Sequence, residues 1–255
     1  DMLIKLGLIY GKPESIQALE NIMKTIIQSA VEASHSLALQ RGSFPEYSEK
    51  MFDSEFCKNT GLDYVAIDRF KKGGLRNSTL LSIAPTGSIG TMLNISSGVE
   101  PWFSMHYTRN TKSLEGKDTS YEVWAPIAEE ANKRNWHPET LVTSNDISWK
   151  EHIDIQAVVQ KHVDTAVSKT INMPKGTTPQ EVREAYIYAW KKGLKGLTVY
   201  VDGSRDPILT TSPKQETVSG LDSIVPVTRK ELGKKLEGAS YKCKNACGGL
   251  YITIN

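Results

Sequence analysis

Leu80-Leu81-Ser82-Ile83-Ala84-Pro85-Thr86-Gly87-Ser88-Ile89-Gly90 is the stretch on which the reading of this chain turns. Leu80, Leu81 and Ile83 form a short apolar run of the kind buried in a parallel sheet. Pro85 ends that strand, and Thr86, Gly87 and Ser88 stand where a helix would begin. A helix N-terminus offers free N–H groups and a partial positive charge, which suit a phosphate. Gly87 lets the backbone approach a ligand, and Thr86 and Ser88 add hydroxyls. Asn94 and Ser96-Ser97-Gly98 supply a second polar turn. The stretch is not a P-loop, because no Gly-Lys-Ser/Thr follows. On spacing alone, a Pro-Thr-Gly-Ser turn that merely caps a helix fits as well.

Composition sets the outer limits. The chain has 255 residues, 39% of them hydrophobic and 24% charged, the proportions of a globular domain. Its 31 basic and 29 acidic residues leave a formal charge of +2, which argues for neither a nucleic-acid nor a membrane partner. No apolar run approaches the roughly 20 residues that span a bilayer. The three cysteines make no disulfide framework, so a reducing cytoplasm is the expectation. The first residue is Asp1, inside an apolar run to Leu8, which reads as a segment of something longer.

Outward from the anchor, helices and strands alternate. Glu14 to Arg41 predicts the longest helix, with Ile16, Leu19, Met23, Ile26, Ile27, Ala30, Ala33, Ser34 and Leu37 as its apolar stripe and Gly42 as its stop. His35 reads as a packing or surface histidine. A loop to about Thr60 carries a structural Cys57, and a second helix runs from Asp63 to Lys72. Beyond the anchor, Pro101 to Arg109 reads as extended and Ser120 to Arg134 as an amphipathic helix, kinked or started late at Pro126. Ser148 and Glu151 have capping-box spacing ahead of a helix from Trp149 to Val163. Thr165 to Met173 predicts a strand, Thr178-Pro179 opens a helix to Lys192, and Leu197 to Val201 predicts another strand. That order argues for α/β architecture with parallel strands. From Asp206 the composition becomes linker-like. Tyr241-Lys242-Cys243 and Leu250 to Asn255 then alternate like a hairpin about Ala246-Cys247-Gly248-Gly249.

Several motifs in sequence carry a resemblance. Gly74-Leu75-Arg76-Asn77-Ser78 precedes the anchor and Ser97-Gly98-Val99-Glu100-Pro101 follows it. Further on stand His152-Ile153-Asp154-Ile155-Gln156, Lys161-His162-Val163-Asp164, Ser168-Lys169-Thr170-Ile171-Asn172-Met173-Pro174, and Thr198-Val199-Tyr200 with Asp202-Gly203-Ser204-Arg205. Together they resemble the catalytic chain of adenosylcobalamin-dependent (class II) ribonucleotide reductases. The resemblance implies that residues 1–205 are the C-terminal half of a ten-stranded α/β barrel. Residues 206–238 are then a linker and 239–255 the start of a small, TSCPD-like β domain. It implies conversion of ribonucleotides to deoxyribonucleotides by thiyl-radical chemistry, with Pro85, Thr86, Gly87, Ser88 and Ile89 binding the substrate diphosphate. It also implies adenosylcobalamin in the complete enzyme and a ribonucleoside di- or triphosphate substrate. Deoxynucleotide effectors would bind upstream, with a thioredoxin-like reductant and a second copy of the chain as protein partners.

The family's radical cysteine sits on a finger loop, and no stretch here matches that motif. No catalytic residue and no metal site is therefore assigned, and the segment alone is expected to be inactive. Class I chains carry two adjacent tyrosines for radical transfer; Tyr200 stands alone, which favours class II. Cys243 and Cys247 read either as a redox pair or as strand residues of the β domain. Glu100 either orients the turn or touches substrate. His106, His152 and His162 read as packing or capping groups. Two other readings stay open: a split-gene fragment acting with a separate N-terminal piece, and a non-catalytic nucleotide-binding module.

Overall fold

The structure is a computed structural model that describes the backbone at 1–111, 119–134, 138–204, 209–210, 239–245 and 248–254, and side chains at 1–106, 125–134 and 138–204. Two compact units divide the chain, Asp1–Lys214 and Gln215–Asn255.

Helix α1 (Met2–Lys5) leads into the long α2 (Pro13–Arg41). Pro13 occupies the first turn of α2, where its missing N–H costs nothing. Gly42, at φ 79°, ends it in a conformation that other residues resist. Leu19, Met23, Ile27, Val31, Ser34, His35 and Ala38 form the buried face. The face is narrower than the sequence stripe suggests: Ile26 and Leu37 lie on its solvent edge, while Val31 and His35 are inside. The segment expected to be a loop holds a short 3-10 turn, Glu49–Asp53, and α3 (Glu55–Asn59), each opened by a serine that caps its first N–H groups. Phe52 and Cys57 on these turns join Ile27, Val31, Phe70 and Leu75 in one cluster. Helix α4 (Tyr64–Gly73) is capped by Asp63 and closed by Gly74.

After α5 (Gly87–Leu93), strands β1 (His106–Thr111) and β2 (Thr119–Trp124) pair antiparallel, from His106 opposite Trp124 to Thr111 opposite Thr119. The expected helix from Ser120 is thus a strand first. Only α6 (Pro126–Arg134) is helical, because Pro126 can begin a helix but cannot sit inside one. A 3-10 turn at Pro138–Thr140 follows. Helix α7 (Trp149–Gln160) opens with the full capping box, Ser148 and Glu151 each serving the other's N–H. It ends at Gln160, short of the expected Val163.

Helix α7 is buried on nearly every side. Ile155, Val158 and Val159 meet Leu19 and Met23 of α2. Ile153 meets Ile171 and Met173 of β3 (Thr170–Met173) and Ala185 and Ala189 of α8 (Pro179–Lys191). Each such side chain contributes roughly 1.5–3 kcal/mol by leaving water. Strand β3 pairs parallel with β4 (Thr198–Val201), Ile171 opposite Val199, and α8 is the crossover between them. The expected α/β pattern is present there. The strand expected from Thr165 begins only at Thr170; ahead of it, Val167 makes one parallel bridge with Ile83. Strand β5 (Leu209–Thr210) adds to the far side of β1. In the second unit, β6 (Ala239–Asn245) and β7 (Gly248–Ile254) form an antiparallel hairpin. Most of the expected linker, Arg205, and the Ala246-Cys247 turn lie outside the described residues.

Candidate nucleotide-binding loop

The anchor is less a strand than a tethered extended segment. Leu80, Leu81 and Ile83 are half-buried, and only Ile83 makes a bridge. The tethers come from the stretch after α7. The Asp164 carboxylate accepts from the Leu80 N–H and, at 2.9 Å, from the Leu81 N–H. Thr165 Oγ1 donates to the Leu81 carbonyl at 2.9 Å, and the Ser168 N–H to the Ile83 carbonyl at 3.0 Å.

Past Pro85 the chain turns into α5. Thr86 is the N-cap and adopts the left-handed region, φ 47° and ψ 23°. A threonine there is strained, since its branched side chain crowds the backbone. The first intrahelical bond runs from the Gly90 N–H to the Thr86 carbonyl, 2.8 Å. The N–H groups of Gly87, Ser88 and Ile89 therefore have no intrahelical acceptor, and no side chain caps them. Pro85, Gly87, Ser88 and Ile89 are exposed and Thr86 half-buried, so all five expected site residues lie together on one open turn. Gly87 has open space where a side chain would begin. Gly90 does not: a Cβ there would lie 2.3 Å from Ser97 Oγ.

The segment after α5 folds back over the turn. Asn94, also left-handed at φ 55°, ends the helix. Gly98, at φ 52°, lets the backbone pass the Ala84 carbonyl, which a Cβ would meet at 3.3 Å. The Asp1 carboxylate accepts from the Ser96 N–H at 3.1 Å and from the Trp102 indole at 2.6 Å. Tyr10 donates its hydroxyl to the Val99 carbonyl at 2.7 Å.

Glu100 is structural rather than free for a ligand. One carboxylate oxygen takes Lys169 Nζ at 2.8 Å and the other takes the Thr170 N–H at 2.5 Å. Lys169 is 3% exposed, and its ammonium also lies 5.7 Å above the Tyr10 ring. Burial pushes the Lys169 amine below its ordinary value, against the pull of Glu100. Burial also raises the Tyr10 hydroxyl well above its usual range, with Glu100 adding to the effect. His152 packs edge-on against Tyr10, and Nε2 reaches the Ser144 carbonyl at 3.0 Å. Burial, helped by the Lys169 charge, lowers its pKa to about 4. His35 is likewise a packing group, buried with Nδ1 2.9 Å from the Gly74 carbonyl, and His162 is buried 3.2 Å from Glu20. Among the described residues no cluster of three His, Cys, Asp or Glu could hold a metal, and no helix is long and apolar enough to cross a membrane.

The profile of the family described as "Ribonucleotide reductase, barrel domain" matches residues 1–200. The chain belongs to the ribonucleotide reductases. Relatives of this reductase segment include the vitamin B12-dependent ribonucleoside-diphosphate reductase of Mycobacterium tuberculosis, 33% identical over 81% of this chain and 30% of the relative. The enzyme of the same name from Thermoplasma acidophilum is 31% identical over 85% of this chain and 29% of its own length. The vitamin B12-dependent ribonucleotide reductase of Rhodopirellula baltica is 28% identical over 71% of this chain and 22% of its own length. The reductase segment thus spans less than a third of the length of these relatives.

Two features of the loop escape a reading by spacing. Asp164 shows in the sequence only as one letter of a motif, and its use as a clamp needs the fold. Lys169 does leave a signal: a lysine between Val167 and Ile171, inside an apolar strand pattern, requires a buried counter-charge.

Proposed function

We propose that this segment supplies the substrate-diphosphate loop of a vitamin B12-dependent ribonucleotide reductase. The observation that carries the reading is the set of uncapped N–H groups at Gly87, Ser88 and Ile89, on an open turn beside the Thr86 and Ser88 hydroxyls. Such donors gain charge-assisted hydrogen bonds to phosphate oxygens. Holding the phosphates fixes the ribose for radical chemistry carried out by other parts of the enzyme. The diphosphate is favoured over the triphosphate by the names of the mycobacterial and Thermoplasma relatives.

The same reading gives residues 1–205 as the C-terminal part of the reductase barrel, 206–238 as a linker and 239–255 as the start of a TSCPD-like β domain. The radical cysteine, the deoxynucleotide effector sites and the cobalamin site belong to the remainder of the enzyme, which would work in the cytoplasm with a thioredoxin-like reductant, as a homodimer. The described residues do not fit a corrin cradle. Two surface clefts among them, about 360 and 540 Å³, flank α2; Glu32, Asp63 and Phe70 help to line the first, and Glu32, Leu39, Asp68 and Arg69 the second. No step here runs through that cofactor.

The test is Ser88→Ala in the complete enzyme. It removes one hydroxyl and keeps the N–H, so substrate binding should weaken by about 1–3 kcal/mol with the maximal rate little changed. Unchanged substrate affinity would count against the loop.

A further inference from the structure

Both ends of the loop are fastened to one short stretch of chain. On entry, Ile83 bridges Val167 and its carbonyl takes the Ser168 N–H at 3.0 Å. On exit, Glu100 takes Lys169 Nζ at 2.8 Å and the Thr170 N–H at 2.5 Å. Residues 167–170 are thus the common base, and 84–99 form a closed excursion from it. Within the excursion, Ser97 and Gly98 press on Gly90 and Ala84, and the Glu100 N–H donates back to the Ser97 carbonyl at 2.9 Å. Glu100, together with the Asp1 and Tyr10 tethers at Ser96 and Val99, therefore sets where Ser97 and Gly98 lie, and these set the seat of the α5 turn.

The clamp is an unusual choice for stability alone. The Lys169 side chain is wholly buried. Taking the Lys169 ammonium out of water, against a half-buried Glu100, costs about as much as their attraction returns, so an apolar side chain of similar volume at 169 would hold the fold as well. The pair has two further hydrogen bonds, from the Thr170 N–H to Glu100 and from Lys169 Nζ to the Thr170 carbonyl at 3.3 Å, and these fix one geometry where an apolar contact allows several. We infer that Glu100 and Lys169 are a positioning pair for substrate: their ion pair holds the exit of the loop so that the Gly87, Ser88 and Ile89 N–H groups converge on the nucleotide's diphosphate. The inference rests on the diphosphate reading of the loop.

The test uses the complete reductase with Lys169→Met, the double variant Glu100→Gln/Lys169→Met, and Gly87→Val in parallel. Removing only Lys169 leaves the half-buried Glu100 carboxylate without its counter-charge and lowers the melting temperature. The double variant leaves no unpaired charge at the clamp, and the amide oxygen introduced by Glu100→Gln can still accept from the Thr170 N–H, so it should melt close to the parent. If the pair positions the loop, KM for the ribonucleotide in the double variant rises about tenfold while kcat stays within roughly twofold. Inorganic pyrophosphate, used as a competitive inhibitor, should weaken by the same factor. A folded double variant with parental KM and parental inhibition by pyrophosphate overturns the inference. Should the double variant fail to fold, Lys169→Arg keeps the charge but moves it: a KM rise of roughly threefold or more supports the pair, and a parental KM rejects it. Gly87→Val separates the two levels. If it abolishes reduction while the pair variants keep parental KM, only the positioning role fails. If Gly87→Val reduces nucleotides normally, the loop reading fails and the pair's role falls with it.

Discussion

Gly90 and Ser97 leave no space between them: a first side-chain carbon at position 90 would sit 2.3 Å from Ser97 Oγ and 3.0 Å from the Ile95 carbonyl. The helix turn and the returning chain touch there, and glycine is the residue that permits it. Gly90→Ala should therefore destabilise the full chain by about 1–3 kcal/mol through overpacking, although alanine is the better helix former. Thermal unfolding of Gly90→Ala and Ser97→Gly/Gly90→Ala checks this, the second change restoring part of the loss.

Asp164 holds the two backbone N–H groups at Leu80 and Leu81, which otherwise face a half-buried environment without an acceptor. Asp164→Ala should cost about 1–3 kcal/mol per stranded donor, and Asp164→Asn, which keeps one carbonyl oxygen, about half as much. Urea midpoints of the two variants measure it. Equal stability of Asp164→Ala and the parent would show that these bonds do not hold the anchor.

His152 gives a pH dependence with a definite sign. Its pKa falls from 6.5 to about 4 in the folded chain, first because it is buried and then because Lys169 faces it. Its Nδ1 has no partner, so a proton there would be a donor without an acceptor. The surrounding groups include the Tyr10 ring and Glu151, which opposes the shift. Because the folded state resists protonation, this contribution is complete above about pH 6.5 and is lost as pH falls toward 4. Its full size is of order 3 kcal/mol. Stability measured from about pH 7 to about pH 4 should fall less steeply in His152→Gln than in the parent.

The cap of α8 offers a local control. Thr178 and Glu181 satisfy each other's N–H groups at 3.3 and 2.7 Å. Thr178→Ala should lower stability by about 1 kcal/mol and, in the complete enzyme, leave substrate affinity untouched, since the bonds described for the loop run to Asp1, Tyr10 and residues 164–170. A change in KM would show that the crossover helix acts on the proposed loop.

Local chemistry made much of this legible in the sequence. Gly42 after Arg41, Ser148 with Glu151, and Thr178 with Pro179 are stop and start signals that act within a few residues, and the structure keeps each. The α5 start at Gly87 was legible for the same reason, and the strand–helix–strand order made the parallel pairing of β3 with β4 legible. The misses came where tertiary context decides. Ser120 to Trp124 carries a helix-compatible pattern, but pairing with β1 makes it a strand. The apolar run at Leu80 to Ile83 invites a full strand, but the side chain of Asp164 takes the N–H groups of Leu80 and Leu81. The Glu100–Lys169 pair joins residues far apart in the chain, and no local spacing announces it.

The proposed binding of the substrate diphosphate by the turn from Thr86 to Ile89 stands or falls with Gly87→Val in the complete enzyme. A side chain at Gly87 meets nothing within 4 Å, and Gly87 has no left-handed φ to strain, so the variant should melt with the parent. The branched side chain would, however, occupy the space over the free N–H groups where a phosphate must sit. Gly87→Val should fold normally and lose both nucleotide reduction and substrate binding, while deoxynucleotide effector binding is retained. A Gly87→Val enzyme that folds normally and reduces ribonucleotides at the parental rate would contradict it.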